Sequence, residues 1–430
     1  MLLRIAFENH LSICKRQELS FAASSLLDPT DGLIKCDAVH RGAVVPAVMI
    51  FGANASGKTN FINALSTMTG MVLWSQTKSG PGGGVLRHKY MLDPSCSEKP
   101  SCFEIDFMLD GVRYHYGFEA TDEAFTSEWL YEIPKAHHRK LYERKEQDFT
   151  FGRQLKGQNN AIAKLTRPNS LFLSAAAQTG HELLSRLYEY FENIVFSGPI
   201  YVQGHSVPRR VKKDGVDSRV IDFLQSINTG VVGYRKKKRE LSEEDQEKHR
   251  EFRTAFERIF GPLLNDADTE ERMVRIELTH SGKDGEEVPF ALGWESAGTR
   301  RLLIILSEIF KAIDEGLTVV IDEIDASLHT CVGETILGLF CSPTINQNGA
   351  QLIATTHDTN LMKAPVLRRD QIWFADKSIE GATEIYPLTD FRTRRQDNVE
   401  LGYLQGRYGA VPHGDPVAEL VADLEAKLVA

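Results

Sequence analysis

The residues best suited to chemistry are Gly52-Ala53-Asn54-Ala55-Ser56-Gly57-Lys58-Thr59, a complete G-x-x-x-x-G-K-[ST] string. Glycines at both ends let a backbone wrap so that successive N–H groups converge on phosphate oxygens, and a helix starting at the second glycine adds partial positive charge. Lys58 would reach the β- and γ-phosphates, and the Thr59 hydroxyl would ligate Mg²⁺. The flanks fit this reading. An apolar, strand-like run from Val44 to Phe51 precedes the loop and an amphipathic run follows from Asn60.

A second set of chemical residues lies in the last third of the chain. Leu317–Ile321 is an apolar strand that ends in Asp322 and Glu323, as a buried parallel strand delivers acids to its C-terminal edge. Asp322 would hold Mg²⁺ through water, and Glu323 would orient and deprotonate the attacking water. Gln351–His357 is another strand with a polar end, which puts His357 on the same edge, able to donate a ring N–H to the γ-phosphate. Ser296 begins a helical run (Leu302, Leu303, Leu306, Ile309, Phe310, Ile313) and reads equally as an N-cap or as a second phosphate-binding helix terminus. Gln178, between an apolar run and the expected helix Glu182–Phe196, is either a cap or a sensor of the γ-phosphate and Mg²⁺.

These groups need a sheet with their termini on one edge. Residues 2–7 and 17–22 read as entering strands, and Phe61, Leu65, Met68 and Val72 give the helix after the loop one buried face. Ser79–Gly84 reads as an exposed loop. Cys102–Leu109 and Val112–Glu119 flank Asp110-Gly111, a strong hairpin signal that predicts an antiparallel subsheet. Residues 203–258 change character, with basic runs at 209–213 and 235–239 and then a mixed-charge stretch; they read as a helical insertion whose basic face is either solvated or contacts nucleic acid or a partner. The expected division is an N-terminal lobe 1–202, the insertion 203–258 and a C-terminal lobe 259–430.

Composition adds limits. A chain of 430 residues with 42% hydrophobic and 25% charged residues reads as globular, and its net charge of −9 argues against a surface coated for nucleic acid. No apolar stretch approaches the roughly 18 residues of a membrane span, and the first residues do not read as a signal peptide, so the expectation is a cytoplasmic protein with no membrane partner. Six cysteines without a C-x-x-C pair suggest buried thiols, with no metal implied except the nucleotide's Mg²⁺.

Taken together, Gly52–Thr59 as Walker A, Glu295–Arg301 as signature segment, Ile321–Glu323 as Walker B, Asp325–His329 as D-loop and His357 as switch histidine resemble the ABC-type ATPases of the SMC and RecF kind. More closely, with Arg368–Phe374 and Gly406–Pro412, the chain is similar to the AAA-type ATP-binding proteins of bacterial abortive-infection systems, the RloA/AbiLi group with PtuA of Septu and AriA of PARIS as relatives. The resemblance implies an α/β P-loop ATPase head of ABC type, with antiparallel subsheet and short helical insertion. It also implies ATP and Mg²⁺ bound by Gly52, Asn54, Ala55, Ser56, Gly57, Lys58, Thr59 and Asn60. Ser296 and Gly298 would face the nucleotide of a second subunit in a homo-oligomer. The function implied is ATP hydrolysis as sensor and scaffold in anti-phage defence, controlling a separately encoded effector, a nuclease or toxin. A RecF-like repair ATPase that binds DNA through the basic insertion and a non-hydrolysing ATP-dependent scaffold are the alternatives. Two departures stand out: the signature reads Ser-Ala-Gly-Thr, and 203–258 is too short for a long coiled coil and lacks sustained heptads.

Overall fold

Alternation along three short strands determines the architecture. In Ala47–Phe51, Val48 and Ile50 point into one apolar cluster while Ala47, Met49 and Phe51 point into another. Thr318–Ile321 and Gln351–Thr355 repeat the pattern, with Val320 and Ile353 on the first side and Val319, Ile321, Leu352 and Ala354 on the second. A strand with side chains buried on both faces belongs at the centre of a sheet covered on both sides. In the computed structural model, which describes all residues except 27, 135–136, 199–208, 239–273 and 412–430, these strands lie in a six-stranded sheet. Its order is Ile194–Ser197, Thr318–Ile321, Gln351–Thr355, Ala47–Phe51, Ile372–Lys377 and Thr383–Pro387, parallel except for the last.

One face is covered by the helix Lys58–Trp74, which buries Phe61, Leu65, Met68 and Val72 as their spacing predicts, and by a seven-stranded antiparallel sheet. That sheet contains Leu2–Glu8 at residues expected to enter a sheet, and the hairpin Ser101–Leu109/Val112–Ala120. Asp110 (φ 50°) and Gly111 (φ 77°) turn it, both in the left-handed region that a two-residue hairpin loop requires. The other face is covered by Ala297–Glu315 and Thr330–Cys341; the former buries all six predicted apolar residues. The expected α/β P-loop architecture with an antiparallel subsheet is therefore present.

Two local expectations are corrected. The helix predicted over Glu182–Phe196 stops at Glu192, and Ile194–Ser197 becomes the edge strand beside Thr318–Ile321. Ile194, Val195 and Phe196 continue the apolar pattern of the helix, but β-branched and aromatic side chains suit a pleated surface, and pairing to a buried neighbour decides the outcome. In the segment expected to be helical, Arg209–Asp214 and Ser218–Ser226 are helices, whereas Val231–Lys238 is a strand that pairs with Val274–Ser281. The basic run at 235–238 thus lies on an edge strand, and the mixed-charge stretch lies outside the described residues. Ser79–Gly84 forms the expected loop, tied down by Asn169, whose amide donates to the carbonyls of Gly80 (2.8 Å) and Gly83 (2.6 Å). No described helix is long and apolar enough to cross a membrane.

Candidate functional site

The C-terminal ends of three neighbouring parallel strands meet at Lys58. Ala47–Phe51 runs into the loop, Thr318–Ile321 into Asp322 and Glu323, and Gln351–Thr355 into Thr356 and His357. At the loop, Gly57 has φ 100°, and a side-chain carbon there would overlap the Thr383 hydroxyl. Only glycine satisfies both the backbone and the close approach. Gly52 is held as closely, against the Ala375 carbonyl. Asn54 and Ala55 form the exposed crown, while Ser56 is buried and its hydroxyl has no partner among the described residues.

Lys58 is buried and donates to the carbonyls of Gly52 (2.7 Å) and Ala53 (2.9 Å). Loss of hydration pulls its pKa down to about 8, against the opposing pull of Asp322, Asp325 and Glu323. Its ammonium also lies 3.4 Å from His357 Nδ1. If the lysine donates there, the neutral ring carries its proton on Nε2, which faces Glu323 Oε1 at 3.9 Å. The backbone N–H of His357 is held by Asp325 at 3.2 Å.

The carboxylate of Asp322 is buried and takes the Thr59 hydroxyl at 3.0 Å and the Thr355 hydroxyl at 2.6 Å. Thr355 Oγ1 in turn accepts the N–H of Glu323 at 2.7 Å. Glu323 has φ 52°, an unfavourable conformation for a residue with a Cβ. Its carbonyl and that of Asp322 accept from Arg301 Nη2, at 2.6 and 3.0 Å. Burial lowers the Arg301 pKa, while Glu323, Asp325 and Asp322 oppose the shift.

Ser296 is the N-cap of Ala297–Glu315: its hydroxyl accepts the Thr299 N–H at 3.0 Å and the residue is otherwise exposed. Gly298 faces the carbonyl of Ser327, which a side-chain carbon would approach to 2.6 Å. Both therefore sit beside the Asp325–His329 turn of their own chain, on the surface. Gln178 is not brought to the site. It closes the helix Phe172–Gln178 and is exposed. It lies near Tyr188, whose hydroxyl donates to Leu73 O at the far end of the Lys58–Trp74 helix.

Three contributors escaped sequence reasoning. Thr355 and Arg301 lie within segments that the sequence singles out, yet nothing in their spacing reveals that they grip the Asp322-Glu323 backbone. Thr383 comes from the antiparallel edge strand and donates to Ser56 O at 2.9 Å, a contact without any local signal. Farther along the chain, Ala410 O accepts the N–H of Ala53 at 2.9 Å, so residues just before 412 brace the loop from outside. Asn60 donates to the Ser12 hydroxyl at 2.7 Å and borders a cleft of about 680 Å³ that is also lined by Arg87, Lys89, Tyr90 and Leu92.

The donor set fits a magnesium–triphosphate group. A buried cation, an unpartnered buried hydroxyl, a glycine cradle and a threonine–aspartate pair stand at the start of one helix. Thr59 and Asp322 are the residues that would hold the metal.

A family model described as "AAA domain, putative AbiEii toxin, Type IV TA system" matches residues 47–363. No curated protein matches. Among solved structures, an SMC head domain from Thermotoga maritima aligns at 15% identity and TM-score 0.37, over 90% of this chain and 98% of that one. An SMC head bound to the C-terminal winged-helix domain of ScpA aligns at 14% and 0.40, over 90% and 96%. A third, an SMC head with an extended coiled coil bound to the C-terminal domain of ScpA derived from Pyrococcus furiosus, aligns at 13% and 0.39, over 90% and 97%.

Proposed function

Because the chain belongs to that AAA-domain family, we propose that it binds and hydrolyses ATP at Lys58 and serves as the nucleotide-controlled member of an anti-phage system. The observation that carries the ATPase reading is the convergence of Lys58, Thr59, Asp322, Glu323 and His357 on one sheet edge, delivered by the turns after three different strands. Bound Mg²⁺ supplies charge neutralisation at the phosphates. Lys58 exchanges its loop carbonyls for phosphate oxygens, while the loop N–H groups and the Ser56 hydroxyl hold the remainder. Glu323, next to the metal ligand but not paired to it, accepts a proton from water as its oxygen bonds to the γ-phosphorus and the bond to the bridging oxygen breaks. The cleft against Asn60 takes the nucleoside.

The exposed Ser296 helix start lies beside the Asp325–His329 turn and has no bond to the loop of its own chain among the described residues. That placement supports a homo-oligomer in which Ser296 and Gly298 close the nucleotide site of a neighbouring copy. Control of a separately encoded nuclease or toxin rests on the resemblance to the abortive-infection ATPases. DNA binding through 235–239 is less favoured, because Arg235 pairs with Glu287 (3.5 Å) and Lys237 with Glu277 (3.9 Å), which neutralises part of the basic strand.

The test is Glu323→Gln. ATP and Mg²⁺ binding should persist, turnover should fall by roughly 10²–10⁴-fold, and the protein should accumulate as a nucleotide-bound oligomer on sizing chromatography. Wild-type turnover would remove Glu323 as the base, and lost binding would make it a metal or structural residue. Wild-type protein without turnover, alone or with its genomic neighbours, would leave an ATP-locked scaffold.

A further inference from the structure

A second cluster of metal-binding atoms lies outside the phosphate site. Cys14 Sγ is 3.4 Å from Cys96 Sγ, and Asp93 Oδ2 is 3.9 Å from Cys96 Sγ. One ligand atom from each of the three lies within 4.8 Å of the others. The two cysteines are 82 residues apart, so no sequence spacing announces them.

Local structure holds these donors in place. Asp93 caps the short turn Pro94–Cys96: its Oδ1 accepts the Ser95 N–H at 2.8 Å, which leaves Oδ2 directed at Cys96. Buried Asn9 ties the two loops together. Its backbone N–H donates to Cys14 O at 3.2 Å, and its amide donates to Cys96 O and Lys99 O, each at 2.8 Å. Its Oδ1 accepts the Tyr90 N–H at 3.0 Å. Support of this kind, behind the ligands, is what fixes a metal site's geometry.

We propose that Cys14, Asp93 and Cys96 bind one zinc ion, with water in the fourth position. A tetrahedral zinc with Zn–S of about 2.3 Å and Zn–O of about 2.0–2.2 Å sets S···S near roughly 3.8 Å and S···O near roughly 3.6 Å. The observed 3.4 and 3.9 Å need shifts of only a few tenths of an ångström, and Cys14 Sγ and the Asp93 carboxylate, within 4.8 Å of each other, close the remaining gap around the ion. A disulfide would need the sulfurs at about 2.05 Å. Two thiolates and a carboxylate suit zinc and exclude Mg²⁺ as the preferred ion. On binding, both thiols lose their protons to solvent, and the ion's two charges are met by the two thiolates, with the carboxylate adding a third negative group. Leu11 and Ser12 precede Cys14, and Tyr90, Met91 and Leu92 precede Asp93; all five line the cleft beside Asn60. The ion therefore fastens two walls of that cleft to each other, whatever the cleft binds.

The experiment loads full-length protein with Zn²⁺, removes excess by gel filtration and counts metal, with Co²⁺ loading in parallel to reveal thiolate-to-metal absorption. Wild-type protein and the control Cys331→Ser should retain one ion per chain and show the absorption. Cys96→Ser should lose both while melting cooperatively. Asp93→Asn, which keeps the fold's shape, should weaken zinc by at least about tenfold in a chelator competition, the lower end of what even supporting residues contribute. Equal metal in wild type and Cys96→Ser would overturn the proposal. So would a wild-type chain lighter by two hydrogens until reduced, because the sulfurs would then form a disulfide.

Discussion

Arg301 is the side chain whose loss should separate positioning from chemistry. Its Nη2 donates to the carbonyls of Asp322 and Glu323, and Glu323 is held at φ 52°. A left-handed conformation costs a residue with a side chain about 1–2 kcal/mol. Two hydrogen bonds from a charged donor contribute about 1.5–3 kcal/mol each, enough to hold Glu323 there. Arg301→Lys keeps the charge but carries it on a shorter arm, which takes the donor out of reach of the two carbonyls that Nη2 serves. Without these two bonds the strain of about 1–2 kcal/mol favours release, and Glu323 should leave its position for most of the time. Steady-state turnover should fall by roughly 5–30-fold, the equivalent of that strain and less than removal of the carboxylate, whereas nucleotide affinity, which depends on Lys58, should change less than about threefold. The decisive measurement is the cycle of Arg301→Lys, Glu323→Gln and the double variant, with melting curves as a check on folding. If Arg301 acts through Glu323, the double variant is no slower than Glu323→Gln alone. Losses that multiply, or wild-type turnover in Arg301→Lys, would refute the reasoning.

Two further outcomes follow from other parts of the site. The Lys58 ammonium titrates near 8 in the free protein because burial strips its hydration, and phosphate binds the charged form. Below about pH 8 the lysine is already protonated and affinity should be flat; above it, binding must take up a proton, so affinity should fall by up to about tenfold per pH unit. Calorimetry in buffers of different ionisation enthalpy reads that uptake directly, and equal affinity across this range would show that the lysine is charged throughout. If Ser296 closes the site of a second copy, Ser296→Arg should stop turnover, and mixing it with Lys58→Ala protein should restore part of it, since one interface then joins an intact loop to an intact serine. No rescue despite demonstrated exchange of subunits would count against the shared site.

What could be read from the sequence was what local chemistry dictates. The phosphate loop needs two glycines because one has a left-handed φ and both meet neighbours too closely for a side chain, so the string is its own structural signature. Asp322 and Glu323 were legible because a near-continuous apolar run suits a parallel strand buried on both faces, and the acids that end it lie at the C-terminal edge of the sheet. The rest was set by long-range pairing. Ile194–Ser197 carries a helix-compatible pattern and becomes a strand only because Thr318–Ile321 lies beside it. Gln178 carries the right chemistry and the wrong address, since the Lys58–Trp74 helix separates it from the loop by 17 residues, about 25 Å at 1.5 Å per residue. Thr355 and Arg301 are ordinary residues until the sheet and the helix after Ser296 place them on either side of Asp322 and Glu323. Because Thr355 accepts the Glu323 N–H and donates to the Asp322 carboxylate, while Arg301 donates to the carbonyls of both, the proposed metal ligand and the proposed base cannot move independently. A shift of the Ala297–Glu315 helix would reach Glu323 through Arg301 without touching the phosphates. Since the start of that helix is the surface proposed to meet a second copy, the same contact gives oligomer formation a direct mechanical route to hydrolysis.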